Sequence, residues 1–186
     1  MKVLAILGSR DPNGKTSRCV DALLKGLNSD KDQAQKVFLT EKKIERCRQC
    51  NVGGWGICSS EGRCIIEDDF AAIADQIHHS DAAVFASPVY YGDISESMRA
   101  FLDRFRRCGR SADFKKLHEN KPAIAISSAG GGNGAAACLG TLEKVLNQCG
   151  FFLADIVGVR RQNLTMKQAV LETLGRWVSA GLPLDA

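Results

Sequence analysis

Aromatic residues are scarce in this chain, at 6% of 186 residues, and the net charge is only +4. A nucleic-acid-binding face interleaves dense basic charge with aromatic side chains on which bases stack. Here the basic residues are scattered: Lys42, Lys43, Arg46 and Arg48, then Arg104, Arg106, Arg107 and Arg110. They read as a solvated surface, or more sharply as a surface that attracts an anionic substrate. No nucleic-acid partner is expected. No apolar run approaches the roughly 18 residues of a membrane span, so no membrane partner is expected either. The apolar stretch after Met1-Lys2 ends at Gly8, too short for the core of a secretory signal, and no small-residue cleavage site follows. A cytoplasmic protein is the expectation. Repeats, low-complexity tracts and linkers are also missing. One domain over 1–186 is therefore expected, with a cysteine-rich insertion at about 41–68.

What is present is a regular alternation. Hydrophobic residues make up 45% of the chain, enough for one sizeable core. Short apolar runs at Val3–Leu7, Lys36–Leu39, Ala82–Ala86, Ala123–Ile126 and Phe151–Val157 read as strands. Between and after them, Thr16–Leu27, Phe70–Ile77, Glu96–Phe105, Ala135–Leu146 and Met166–Val178 carry apolar residues at helical spacing. Five apolar strands separated by helices imply a parallel sheet covered on both faces, an α/β fold. Gly109–Asn120 and Glu41–Asp68 read as long irregular insertions. In such sheets ligands bind beyond the carboxyl ends of the strands. The loops after the first, third and fourth strands are the places to look.

The first loop runs Gly8-Ser9-Arg10-Asp11-Pro12-Asn13-Gly14-Lys15-Thr16-Ser17 and opens a helix. Backbone N–H groups and hydroxyls at a helix N-terminus suit an anion. Gly14-Lys15-Thr16 looks like the end of a nucleoside-triphosphate loop, which needs four residues after its first glycine; five separate Gly8 from Gly14. The plain alternative is a polar turn with Thr16 as helix cap. The third-strand loop, Ser87-Pro88-Val89-Tyr90-Tyr91-Gly92, offers a sharp turn and flat side chains. The fourth-strand loop, Ser127-Ser128-Ala129-Gly130-Gly131-Gly132-Asn133-Gly134, formally fits a dinucleotide fingerprint with Asp155 downstream, but so many adjacent glycines satisfy many patterns.

Four of the eight cysteines fall between Cys47 and Cys64, spaced Cys47-x2-Cys50-x7-Cys58-x5-Cys64. Free or redox-active thiols, a [4Fe–4S] cluster and structural zinc are the open readings of Cys47, Cys50, Cys58 and Cys64. Cys19, Cys108, Cys138 and Cys149 read as core thiols. His78-His79 falls near a helix end and reads as a favourable C-terminal pair rather than as catalysts.

With these motifs the chain resembles the NADPH-dependent FMN reductase family and its iron–sulfur flavoprotein relatives. The first loop is similar to Gly-Ser-x-Arg-x-x-Gly-Asn-Thr, with Asp11 where the family often has arginine and Lys15 where it often has asparagine. Ser87–Gly92 followed by Arg99-Ala100-Phe101-Leu102-Asp103-Arg104 is similar to the family's second motif, and Asp103-Arg104 reads as structural or interfacial. Cys64-Ile65-Ile66-Glu67-Asp68-Asp69 resembles the end of the iron–sulfur motif, whose third cysteine falls where this chain has Gly53. The resemblance implies a flavodoxin-like three-layer sandwich with strand order 2-1-3-4-5. It implies FMN held by Ser9, Arg10, Gly14, Lys15, Thr16 and Ser17 at the phosphate, and by Pro88, Val89, Tyr90, Tyr91, Gly92, Ser128, Ala129, Gly130 and Gly131 at the ring. It further implies NAD(P)H as co-substrate, a small-molecule or protein electron acceptor, and a homodimer or homotetramer. No acid–base residue is named, because hydride transfer needs stacking and orientation.

Overall fold

A computed structural model describes residues 1–51 and 53–182; Val52 and the last four positions of the expected 1–186 domain lie outside the described residues. The elements run β1 (Lys2–Leu7), α1 (Lys15–Lys25), β2 (Gln33–Phe38), α2 (Cys58–Glu61), α3 (Asp69–His78), β3 (Ala82–Pro88), α4 (Glu96–Cys108), α5 (Ala112–Lys116), β4 (Pro122–Ser128), α6 (Ala135–Gln148), β5 (Phe152–Val159) and α7 (Leu164–Ser179). The five strands pair in parallel in the order β2-β1-β3-β4-β5. This is the flavodoxin-like order expected. Among the described residues no helix is long and apolar enough to cross a membrane.

Strand alternation divides the core into two layers. Leu4, Ile6, Ala83 and Phe85 point to one side, where α3, α4 and α6 contribute Phe70, Phe101, Phe105 and Leu142. Val3, Ala5, Leu7, Val84 and Ala86 point to the other, where α1 and α7 contribute Val20, Leu23, Leu171 and Val178. β2 departs from the expected apolar run. Gln33 to Lys36 are exposed and only Val37 is buried, because β2 is an edge strand with less covering it. Gly109–Asn120, expected to be irregular, contains α5, which buries Phe114.

The cysteine-rich insertion is clasped at its base. Arg104 of α4 is 1% exposed and its guanidinium makes paired bonds to Asp68, at 2.6 and 2.9 Å. The same guanidinium donates to the carbonyls of Glu45 and Ile66, one on each side of the four cysteines. Asp68 also accepts from Glu45 N and caps α3 by accepting from Phe70 N. Burial alone would raise the Asp68 pKa; the bonds from Arg104, Glu45 and Phe70 outweigh it and hold the carboxyl below its usual range. Removing one partner of such a buried pair costs about 3–5 kcal/mol. Arg104 is thus structural within its own chain, whereas Asp103 pairs at the surface with Arg106.

Cys19, Cys108, Cys138 and Cys149 are fully buried, and burial pushes their thiols up, Cys19 to about 11 and the other three to about 12. His78 differs from its expected role. Burial lowers its pKa and disfavours a cation at the end of α3, and the ring packs against Phe114 and His118. His118 is fully buried, stacks on Phe151 at 4.5 Å, and is pushed by burial down to about 3.

Burial disfavours the charged form of both imidazoles in the fold, so both take up protons more readily on unfolding once the pH is below 6.5. The unfolded state then binds more protons, so stability present above pH 6.5 is lost as pH falls toward about 3. Asp68, whose ordinary value is 3.8, adds its own loss only lower down. Urea midpoints measured from about pH 7 to about pH 4.5 should fall, and His118→Phe should make that fall shallower. An equal slope in the variant would remove His118 as its source.

Candidate functional site

The loops after β1, β3 and β4 leave adjacent strands side by side. Leu7 is in register with Ala86 and Pro88 with Ser128, and the pairing continues past the strand ends as Gly8 N donates to Ala86 O and Val89 N to Ser128 O. The residues singled out in these three loops are therefore brought to one edge of the sheet.

The β1 loop is organised by its own side chains. The Asp11 carboxylate accepts from Asn13 N at 2.9 Å, and the Ser9 hydroxyl accepts from Asp11 N. Thr40 and Ser97 donate their hydroxyls to the carbonyls of Ser9 and Gly8, which ties the loop to the end of β2 and the start of α4. α1 begins after Gly14 with no side-chain cap and no acidic residue in its first turn. Gly14, not Thr16, occupies the cap position. The contrast with its neighbours is plain: α3 is capped by Asp68 and α4 by Ser95, and each has an acid in its first turn. In α1 the Ser17 hydroxyl is buried with no hydrogen-bond partner, and Thr16 beside it is also buried. Free N–H groups, the dipole's positive end and an orphaned hydroxyl together make a site for an anion. Arg10 is exposed and Lys15 half-buried at its rim.

The β3 loop is a two-residue hairpin. Tyr90 and Asp93 exchange both backbone bonds, and Tyr91 and Gly92 between them have φ of 50° and 79°. Positive φ at both central positions is the type I′ turn. Tyr91 is fully exposed at its tip, Tyr90 is partly exposed, and Pro88 and Val89 are half-buried. Asp93 anchors the hairpin by accepting from Ile94 N and the Thr141 hydroxyl and by pairing with Arg99. The β4 loop meets this hairpin directly. A Cβ on Gly134, whose φ is 101°, would lie 2.6 Å from Gly92 Cα. Before that contact, Ser128 and Ala129 are buried, and the Ser128 hydroxyl has no partner. Gly130 and Gly131 are exposed.

A second site lies at the other end of α4. Cys47, Cys50, Cys58 and Cys64 line one narrow cleft of about 20 Å³ together with Arg104 and Arg107. Gly53, where the resembled motif has its third cysteine, is exposed with φ of 90°, whereas Cys58 is carried back to the cleft by α2. Trp55 lies in the loop between them, its indole 4.0 Å from the Arg107 guanidinium and 4.8 Å from that of Arg110. A single zinc ion would draw four sulfurs to about 3.8 Å of one another. Among the described residues no three Cys, His, Asp or Glu side chains are gathered closely enough to hold one metal ion.

The sequence profile of the family described as NADPH-dependent FMN reductase matches residues 1–161. The chain belongs to that family. An iron–sulfur flavoprotein of Archaeoglobus fulgidus is 36% identical over 115 residues, which are 62% of this chain and 50% of that protein. The chain thus spans about half the length of that curated relative. A Bacillus subtilis protein described as a putative NAD(P)H-dependent FMN-containing oxidoreductase is 27% identical over 70% of this chain and 67% of its own length. Among solved structures, RosB with bound 8-demethyl-8-formylriboflavin-5′-phosphate superposes with a TM-score of 0.72 at 15% identity, covering 98% of this chain and 82% of that one. That likeness is one of fold.

For a member of the FMN reductase family, the β1 loop fits the cofactor's phosphate on its own evidence: an uncapped helix start and the unpartnered Ser17 hydroxyl. Ser128 is a second orphaned hydroxyl at the same sheet edge. What sequence reading missed is the support: the Asp11 turn, the Asp93–Thr141 anchor and the Asp68–Arg104 clasp. Each joins residues whose pairing no local pattern reveals.

The burial of the eight thiols sorts them into two sets. In reduced, metal-free protein without denaturant, an alkylating reagent should modify Cys47, Cys50, Cys58 and Cys64, which are partly exposed, and spare Cys19, Cys108, Cys138 and Cys149. Peptide mass spectrometry reads the result; early modification of Cys108 would place it in the cleft rather than beneath it.

Proposed function

We propose that the chain holds FMN across the β1, β3 and β4 loops and works as an NAD(P)H-dependent oxidoreductase. The observation that carries this reading is the open start of α1, where Ser17 offers a buried hydroxyl with no partner. The phosphate is received by the N–H groups of the first turn and by Thr16 and Ser17, with Ser9, Gly14, Arg10 and Lys15 around it. The Ser9 hydroxyl is occupied in shaping the loop, so its part is structural. Pro88, Val89, Tyr90, Tyr91 and Gly92 wall the ring, and Ser128, Ala129, Gly130 and Gly131 face its polar edge. Bound there, FMN takes a hydride from the nicotinamide and passes electrons to a quinone, a flavin or another acceptor. The protein's part is orientation: the hairpin is fixed by Asp93 and the contact of Gly134 with Gly92, so the wall is preformed.

The cleft carries a second reading, an alternative to the first: a [4Fe–4S] cluster held by Cys47, Cys50, Cys58 and Cys64, for which the four thiols lining one cleft speak, beside free thiols and structural zinc. In that reading the acceptor or donor of electrons includes a protein partner.

Two measurements test these readings. Ser17→Ala removes a hydrogen bond to a charged group, worth about 1.5–3 kcal/mol, so FMN affinity should fall by roughly tenfold to a hundredfold. Thermal stability of the apoprotein should hold or rise, since an unsatisfied buried hydroxyl is lost. Unchanged FMN affinity would move the phosphate elsewhere. Anaerobic purification with iron and sulfide analysis tests the cleft: Cys58→Ser should lower the bound iron, and flavin without iron in the wild type would return the four cysteines to free thiols.

A further inference from the structure

Three arginines line the cysteine cleft, and no carboxylate does. Two of them are engaged at the surface: Arg48 pairs with Glu45, and Arg107 lies over Trp55. Arg104 is the buried one. An arginine has five N–H donors, and four of these are used. Nη1 donates to Glu45 O and Asp68 Oδ2, and Nη2 to Ile66 O and Asp68 Oδ1. The fifth, on Nε, is buried with no hydrogen-bond partner.

A buried donor left without an acceptor is unfavourable and calls for an explanation. The side chain is not free to turn and cure it. Four bonds hold the guanidinium plane, and the Phe70 ring lies against it at 4.3 Å. What stands beside it is Cys64. Glu45, two residues before Cys47, and Ile66, two residues after Cys64, both accept from this guanidinium, so it sits between the two ends of the cysteine segment. Burial alone would lower the Arg104 pKa; Asp68 and then Cys64 outweigh it and raise it, so the Cys64 sulfur is near enough to act on the charge. A thiol is a weak acceptor, whereas a metal-bound cysteine is a thiolate and accepts strongly.

We propose that the Arg104 Nε–H is held for the Cys64 sulfur as a cluster ligand, and that this N–H···S bond raises the reduction potential of a [4Fe–4S] centre in the cleft. This role rests on the cluster reading of the four cysteines. A metal centre bound by four thiolates carries net negative charge, which a lining of arginines without acids suits. Taking up an electron adds one negative charge more. Hydrogen bonds to the sulfurs stabilise that added charge and so move the potential upward. Arg104 is thus a positioning residue: it acts on the centre through Cys64 and ligates nothing itself.

The test uses protein purified anaerobically with its iron and sulfide, grown on arginine labelled with ¹⁵N at Nε, and reduced with dithionite. Pulsed EPR of the reduced cluster should show a coupling to the labelled nitrogen in the wild type and in Arg107→Lys. Arg104→Lys keeps the positive charge but lacks Nε, so the coupling should vanish there. Its potential should fall by about 59 mV, which is tenfold in the one-electron equilibrium. No coupling in iron-loaded wild type overturns the inference and leaves the cluster reading standing. A coupling that survives in Arg104→Lys, or disappears in Arg107→Lys, also overturns it, as does an unchanged or raised potential in an Arg104→Lys protein that keeps its cluster. Should Arg104→Lys fail to hold a cluster, the labelled wild type and Arg107→Lys decide alone. Wild-type protein without iron and sulfide overturns the cluster reading itself and this inference with it.

Discussion

Much of the arrangement depends on one buried ion pair. Asp68 and Arg104 are removed from water, and each bonds backbone groups as well as the other, with only the Arg104 Nε left without a hydrogen-bond partner. Burial of two charges is unfavourable unless their donors and acceptors find partners. Here that requirement recruits Glu45 from one end of the insertion, Ile66 from the other and the first turn of α3. The pair therefore closes the neck of a loop that has little core of its own. Between the closed ends the chain is free to follow glycines and cysteines instead of an apolar pattern. Phe70, whose ring lies 4.3 Å from the guanidinium, joins this neck to the aromatic layer beneath.

The two candidate sites use opposite local solutions at helix ends. α3 and α4 satisfy their first-turn N–H groups with Asp68 and Ser95, and they are finished as structures. α1 leaves its first turn open and buries a hydroxyl that nothing meets. An incomplete terminus costs stability in the free protein and is restored when an anion arrives. Ser128 presents a second such hydroxyl at the same sheet edge.

How much of this was legible in the sequence follows from the range of each interaction. The strands and the three loops were readable because apolar runs and turn residues are local patterns, whereas the strand order came with the family resemblance. β2 was read short because Gln33 and Gln35 alternate with little cover at the sheet edge. Asp11 looked like a missing cation; it is a turn builder, and only the bond to Asn13 N shows that. Arg104 was picked out within its motif, yet its partner is 36 residues earlier and no periodicity links them. His118 lies in a stretch of lysines and polar residues, so nothing marked it as the centre of an aromatic cluster. Cys58 was the least readable, since α2 is a single turn whose position is set by packing against α4.

α4 has a consequence beyond support. Its first turn holds the β1 loop through Ser97, and its last turns hold the cysteine cleft through Arg104 and Arg107. Seven residue steps along the helix, about 10 Å, lead from Ser97 to Arg104. One helix therefore borders both candidate sites, and its rise fixes the distance between their supports.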